Sequence, residues 1–238
     1  MRVEVRAFGG VADRAGLTVL PVELPEGATV ADLRAALAGS HPDVAPLLPR
    51  CAVAVDLEVA GDDVVLRGGE EVAVLPPVAG GADDSSDPSG TAGVVTRTGL
   101  VHGPIDVAAE LATLGDPRVG AVVSFLGLVR DHAEDLEGVV RLEYSAYEEM
   151  AARELDVIAA ELHAEHPEGR GLVLVHALGP LPVGAHTILI AAAAAHREEA
   201  FAACRDGLER VKDRVPVFKR EVTADGARWV GLEPDGAA

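Results

Sequence analysis

At 238 residues, the chain has room for one large domain or two small ones. Its apolar share of 49% supports real cores, but aromatics are only 3%, so Val, Leu, Ala and Ile must pack them. A formal net charge of −19 argues against nucleic acid or an anionic membrane as a partner, since both need a basic footprint. A small anionic substrate stays open, because a few local arginines or lysines override the global sign at short range. Cys51 and Cys204 lie far apart, without CxxC or Cys/His spacing, so neither a disulfide framework nor a metal site is expected, and a reducing cytoplasm fits. The longest apolar run, ILIAAAAA at 188–195, is too short to span a bilayer, and the N-terminus lacks the apolar core of a signal peptide.

In chain order, RVEVRAF (2–8) and TVLPVEL (18–24) read as two strands joined by a Gly-containing turn, as in a hairpin. ATVADLRAALAG follows as a helix, with Thr29 as N-cap, Val30, Leu33 and Leu37 on one face, and Gly39 as the stop. CAVAVDLEVA (51–60) and EEVAVLPPV (70–78) are two further strands. The order β-β-α-β-β in about eighty residues needs its helix laid across one face of a mixed sheet, which is a β-grasp, ubiquitin-like pattern. Residues 82–93, ADDSSDPSGTAG, hold almost nothing to bury and read as a flexible acidic linker.

Beyond the linker, PIDVAAELATL (104–114) reads as a helix, and GAVVSFLGLVR (120–130) and VVRLEYSAY (139–147) as strands joined by an acidic loop. A long helix at 148–166 turns Met150, Leu155, Ile158 and Leu162 to one side, and two more strands follow, GLVLVHALG and HTILIAAAAA. A helix at 197–215 ends at Pro216, and VFKREVT with ARWVGL closes as a hairpin. Helices and strands do not alternate strictly, so the domain is α+β and not doubly wound.

The chain makes its positive charge almost wholly from arginine; its only two lysines, Lys212 and Lys219, both fall in VKDRVPVFKRE. An arginine keeps its proton near neutral pH, whereas a buried or crowded amine can release one. The pair therefore reads either as amine chemistry or as two surface lysines fallen together by chance. Lys212 belongs to the last helical turn and Lys219 to the strand after Pro216; a helix folding back on that strand can bring both amines to one pocket, for acid–base or acyl chemistry. His196 and Arg197 sit where a strand gives way to a helix start, and read either as an ordinary charged cap or as a phosphate or carboxylate site. Arg130 leaves an apolar strand into a loop with Asp131 and His132, either to bind an anion or to pair with acids. His163 and His166 are expected to be solvated and His176 to be structural. No motif supports metal ligation.

Gly80 and Gly81 end an apolar strand with two residues lacking side chains. They read either as a hinge into the linker or as a thin tail able to enter a narrow cleft, the device by which ubiquitin-like carriers present a terminal carboxylate.

These pieces resemble one family. Residues 1–81, through the β-grasp pattern and the ending GGEEVAVLPPVAGG, resemble the small sulfur-carrying subunit of molybdopterin synthase. Residues 94–235 resemble the large catalytic subunit, through VVSFLGLVRDH, LEYSAYEEMA, HALGPLPVG, AAAHREEAFAAC, LERVKDRVPVFKRE and DGARWV. The chain looks like a natural fusion: a β-grasp carrier domain (1–81), the linker (82–93) and an α+β, α/β-hammerhead-like catalytic domain (94–238).

The resemblance implies sulfur transfer from a Gly81 thiocarboxylate, with no other cofactor, to cyclic pyranopterin monophosphate. Two transfers make the dithiolene of molybdopterin. A ubiquitin-activating-like adenylating enzyme would charge Gly81. Lys212 would contact the carrier's terminal glycine and the acyl intermediate, Lys219 would act on the pterin as acid or base, and Arg130, His196 and Arg197 would bind the pterin phosphate. The large subunit would be a homodimer whose site is completed across the interface. Phe218, Ala177 and Ala185 depart from the family's usual Trp, Arg and Glu. The competing reading is a non-catalytic carrier or scaffold for another sulfur-transfer pathway; a Schiff-base lyase would explain the amines but not the Gly-Gly tail.

Overall fold

The computed structural model describes residues 1–77, 95–133 and 136–230. The described residues separate into two compact units, one holding Met1–Pro77 with Ser145–Tyr147 and residues 229–230, the other 95–133, 136–144 and 148–228. The expected Gly80–Gly81 tail and the linker at 82–93 lie outside the described residues.

In the first unit, strand β1 (Arg2–Ala7) sends Val3, Val5 and Ala7 inward by the period-two rule. It pairs antiparallel with β2 (Val19–Glu23) and parallel with β5 (Val72–Leu75). With β3 (Ala52–Val55) and β4 (Glu58–Ala60) the sheet order is β2-β1-β5-β3-β4. Helix α2 (Val30–Ser40) crosses one face and buries Val30, Leu33 and Leu37 completely. Its start is a reciprocal cap: Thr29 Oγ1 accepts from the Asp32 amide at 3.3 Å, and an Asp32 carboxylate oxygen accepts from the Thr29 amide at 2.8 Å. This is the expected β-grasp.

Two local readings are corrected. The segment between β1 and β2 is a seven-residue helix, α1 (Gly9–Ala15), because Val11 supplies a fully buried anchor and Gly16 ends it in the left-handed conformation, φ 66°. The stretch 51–60 is a hairpin and not one strand: Asp56 and Leu57 take φ of 50° and 70°, the two-residue turn that suits strand twist. Asp56 is held there by exchange with Glu71, whose amide donates to the Asp56 carboxylate at 3.0 Å while the Asp56 amide donates to the Glu71 carbonyl at 2.8 Å.

The second unit is built around β11 (Gly169–Pro182), whose residues 171–178 are buried without interruption. It pairs antiparallel with β12 (His186–Ala194), which pairs in turn with β7 (Ala121–Leu128). On β11's other pairings lie β10 (Val139–Ala146), antiparallel at Gly179–Pro182, and β6 (Val95–His102), parallel at Gly171–Leu178. β6 was not anticipated; its partial burial gives no clean alternation to read. β13 (Val217–Thr223) and β14 (Ala227–Trp229) extend the sheet beyond β10. The expected acidic loop contains a short hairpin, β8 (His132–Ala133) with β9 (Leu136–Glu137).

Helix α3 (Val107–Ala112) lies on the sheet face carrying Val173, Val175, Leu189 and Ala191. The opposite face packs helices α4 (Glu148–Glu165) and α5 (Arg197–Arg214). Their approach is close at Gly207, where an added Cβ would sit 3.2 Å from both Ile190 and Leu162 side chains. Between the helices runs an ionic seam. Glu161, 5% exposed, accepts from Arg210 at 2.9 Å and from Arg214 at 2.6 Å; Arg214 also meets Glu154 at 2.6 Å and Arg210 meets Glu165 at 2.5 Å. Among the described residues no helix is long and apolar enough to cross a membrane.

Candidate functional site

Helix α5 positions three of the residues singled out in the sequence. His196 is its N-cap, in extended backbone and without a capping hydrogen bond from its side chain, and Arg197 is its first residue. Both are exposed. Unpaired amides at a helix start favour an anion there. At the other end, Lys212 and Arg214 share the last turn, but with different fates. Arg214 is committed to the Glu154–Glu161 seam. Lys212 is exposed, with Nζ 5.7 Å from the centroid of the Phe125 ring on β7, a cation–π distance.

Sixteen residues of helix separate His196 from Lys212, about 24 Å at 1.5 Å per residue. Within one chain, the two ends of α5 therefore cannot share a substrate-sized pocket.

Lys219 lies on β13, where the Pro216 break sends the chain back along the sheet. Its side chain is 30% exposed and its Nζ stands 3.5 Å from Glu221 Oε1. Glu221 is buried and also accepts from Arg228 Nε of β14 at 3.0 Å. Two cations thus flank one buried carboxylate. Behind it stands Tyr144 of β10. Burial pushes its phenol up to about 12, with the Glu221 charge adding to the effect and a hydrogen bond with Thr187 opposing it. Lys212 and Lys219 occupy the last helical turn and the following strand, the elements expected for them, with an aromatic ring beside one amine and a carboxylate beside the other.

Arg130 is exposed just past β7. The chain is pinned there by Val129, whose amide donates to the Ala185 carbonyl at 3.0 Å and whose carbonyl accepts from Gly184 at 2.8 Å. Next to it Asp131 and His132 pair at 2.7 Å, and the imidazole holds the Asp131 carboxyl below its ordinary range. Ala177 is wholly buried in β11 and Phe218 is buried in β13.

The expectation of solvated His163 and His166 is corrected. The His163 ring meets Thr96 Oγ1 at 2.7 Å and His166 meets Asp206 at 2.9 Å, with only 17% of the His166 side chain exposed. Glu165, His166 and Asp206 form a group of metal-ligating types, but Glu165 is engaged by Arg210 and His166 by Asp206. Cys51 and Cys204 are buried thiols, and burial pushes Cys51 up to about 12, far from thiolate reactivity.

His176 is structural, as expected. Buried in β11, its imidazole is held down to about 4 by lost hydration, against a hydrogen bond from Nδ1 to the Ala177 carbonyl at 2.8 Å. Its ring meets Tyr144 edge-on at 5.0 Å. The folded value lies below the unfolded one near 6.5, so the unfolded chain takes up the proton first. Stability is full above pH 6.5 and falls as pH drops towards 4, by about 3 kcal/mol. In urea titrations across that window, His176→Phe is expected to flatten the acid limb.

Glu221, Arg228, Tyr144 and Phe125 were not anticipated. The Lys-Arg-Glu spacing of β13 held a usable signal: residues 219 and 221 share a strand face.

Two family models match the chain. One described as "MoaE protein" covers residues 100–214 and one described as "ThiS family" covers residues 5–81. The molybdopterin synthase catalytic subunit of Pyrococcus abyssi is 42% identical over 138 residues, 57% of this chain and 91% of that protein. The corresponding protein of Drosophila willistoni is 38% identical over 132 residues, 55% of this chain but only 35% of that longer protein. Among solved structures, the molybdopterin synthase from Staphylococcus aureus superposes with a TM-score of 0.53 at 34% identity, covering 56% of this chain and 96% of that one.

Proposed function

Because the chain belongs to the molybdopterin synthase catalytic-subunit family and carries a ThiS-family domain ahead of that part, we propose that it holds both the sulfur arm and the catalytic body of one sulfur-transferring enzyme. The observation that carries this reading is the order and end point of the two matches: the carrier-type match stops at Gly81 itself and the catalytic-type match follows it.

Gly81 then bears the sulfur as a thiocarboxylate, charged by an adenylating enzyme of the ubiquitin-activating type, and the acceptor is cyclic pyranopterin monophosphate. A thiocarboxylate requires a chain end, so the peptide bond after Gly81 is cut before loading; the Asp-, Ser- and Gly-rich composition of 82–93 suits a protease. The tail delivers sulfur beside Lys212, which contacts the glycyl acyl group, while Lys219 moves protons on the pterin. Arg130, His196 and Arg197 hold the phosphate. Since one helix keeps His196 and Arg197 about 24 Å from its own Lys212, a second copy of the chain supplies them, and the working unit is a homodimer. A non-catalytic scaffold has less support, because it leaves the buried carboxylate under Lys219 without a purpose.

The test is made on protein from its native cell. Mass spectrometry is expected to find an N-terminal fragment ending at Gly81, a portion of it heavier by the replacement of oxygen with sulfur, in preparations that convert the pyranopterin to molybdopterin. Full-length chain alone, with full activity, would sink the cleavage.

A further inference from the structure

Lys219 is one of only two lysines in the chain, yet its surroundings are more elaborate than a solvated amine needs. Residue Glu221 sits two positions along β13, so the strand period places it on the same face, while Arg220 between them turns towards Glu143 at 3.7 Å. The Glu221 side chain is only 5% exposed, against 30% for Lys219 and 25% for Arg228. A buried carboxylate is costly unless paired, and both its oxygens are engaged: Oε1 faces Lys219 Nζ at 3.5 Å and Oε2 accepts from Arg228 Nε at 3.0 Å. Arg228 comes from β14, the edge strand of the sheet. The carboxylate is thus fixed from one side and reaches the amine with the other.

We infer that Glu221, locked by Arg228, is a positioning residue that sets where the Lys219 amine stands. For its activity arm this rests on the synthase reading above; for its geometric arm it does not. A flexible four-carbon stem leaves an ammonium group free to wander, and displacing a reacting group by about 1 Å can cost about 10²-fold in rate. Glu221, itself buried, confines the more exposed amine without being placed to touch substrate. Lys212 lies over the Phe125 ring and Lys219 against a carboxylate, so the two amines are held differently.

The chain's two lysines make the experiment direct. Reductive methylation of the full chain with isotope-labelled formaldehyde gives one NMR signal for each lysine, assigned with Lys212→Arg and Lys219→Arg, and keeps the positive charge. Glu221→Gln is expected to move the Lys219 signal and leave that of Lys212 in place. Should Glu221→Gln fail to fold by circular dichroism, Arg228→Gln carries the same expectation, since it frees the carboxylate from its anchor. A folded variant in which the Lys219 signal stays put, or in which both signals move alike, overturns the inference. In the activity arm, Glu221→Gln is expected to lower kcat for molybdopterin formation about 10²-fold with KM near the parent value, and Glu221→Asp to restore most of it. A KM effect alone overturns the positioning role. If parent protein cut after Gly81 and loaded with sulfur makes no molybdopterin while the Lys219 signal still responds, the synthase reading fails and the geometric inference stands.

Discussion

Lys219→Ala is expected to lower molybdopterin formation by about 10²- to 10⁴-fold, the range that a lost proton-transfer group costs, and Lys212→Ala to fall at least as far. The substitutions remove no core packing: Lys212 is exposed and Lys219 is partly so. Folding and substrate binding should therefore survive, and the loss should appear in kcat. The geometry of α5 adds a sharper result. If His196 and Arg197 serve the partner's lysines, a chain with Lys212→Ala and a chain with His196→Ala and Arg197→Ala are each inactive alone. Mixed dimers of the two contain one site with every defect and one with none. Unfolding and refolding an equal mixture then yields half mixed dimers, each half active, and so returns about a quarter of the parent activity. No recovery in a mixture shown to exchange subunits would place all the residues in one chain's site and contradict the 24 Å separation along the helix.

The first unit was largely legible because its elements carry their own local signals. Val3, Val5 and Ala7 alternate, Thr29 and Asp32 form a cap, and Val30, Leu33 and Leu37 mark a helix stripe, all of which the structure uses. What failed to show was set by backbone conformation. Asp56 and Leu57 turn through positive φ without the Asn-Gly or Asp-Gly pair that announces such a turn, and α1 is too short for periodicity to reveal. In the second unit, β6 was invisible for a different reason: its neighbour β11 is almost 80 residues away in sequence, and a strand half-buried on both faces has neither alternation nor a continuous apolar run.

The candidate site divides along the same line. Lys212 and Lys219 stood out through composition alone, since a chain that elsewhere uses arginine keeps its lysines within eight residues of each other. His196 and Arg197 stood out through a strand-to-helix junction. Glu221, Arg228 and Tyr144 did not, because their importance lies in pairing across β10, β13 and β14, and cross-strand register is a tertiary fact. The misread histidines make the same point. The ends of α4 look solvated by composition, but His166 faces Asp206 of α5 and His163 faces Thr96 of β6.

The largest stability loss is expected at Glu161. This carboxylate lies in the α4–α5 seam with 5% of its surface exposed, between guanidinium groups of Arg210 and Arg214 that are themselves 24% and 18% exposed. Removing it leaves two partly buried cations facing each other across the vacated space. Breaking one side of a buried ion pair in this way costs about 3–5 kcal/mol. Glu154 and Glu165 still hold the outer edges of Arg214 and Arg210, which places Glu161→Ala near the lower end, about 3 kcal/mol. The seam's worth as a pair is another matter, since the Coulombic gain of buried charges is largely offset by their desolvation. Glu161→Leu combined with Arg214→Met is therefore expected to recover most of the loss, although it removes more charge than the single variant. Urea midpoints at unchanged slope measure both. A single variant within about 0.5 kcal/mol of the parent, the ordinary range for a surface substitution, would mean that water reaches the seam and that α4 and α5 are joined by their apolar faces at Leu162 and Gly207 alone.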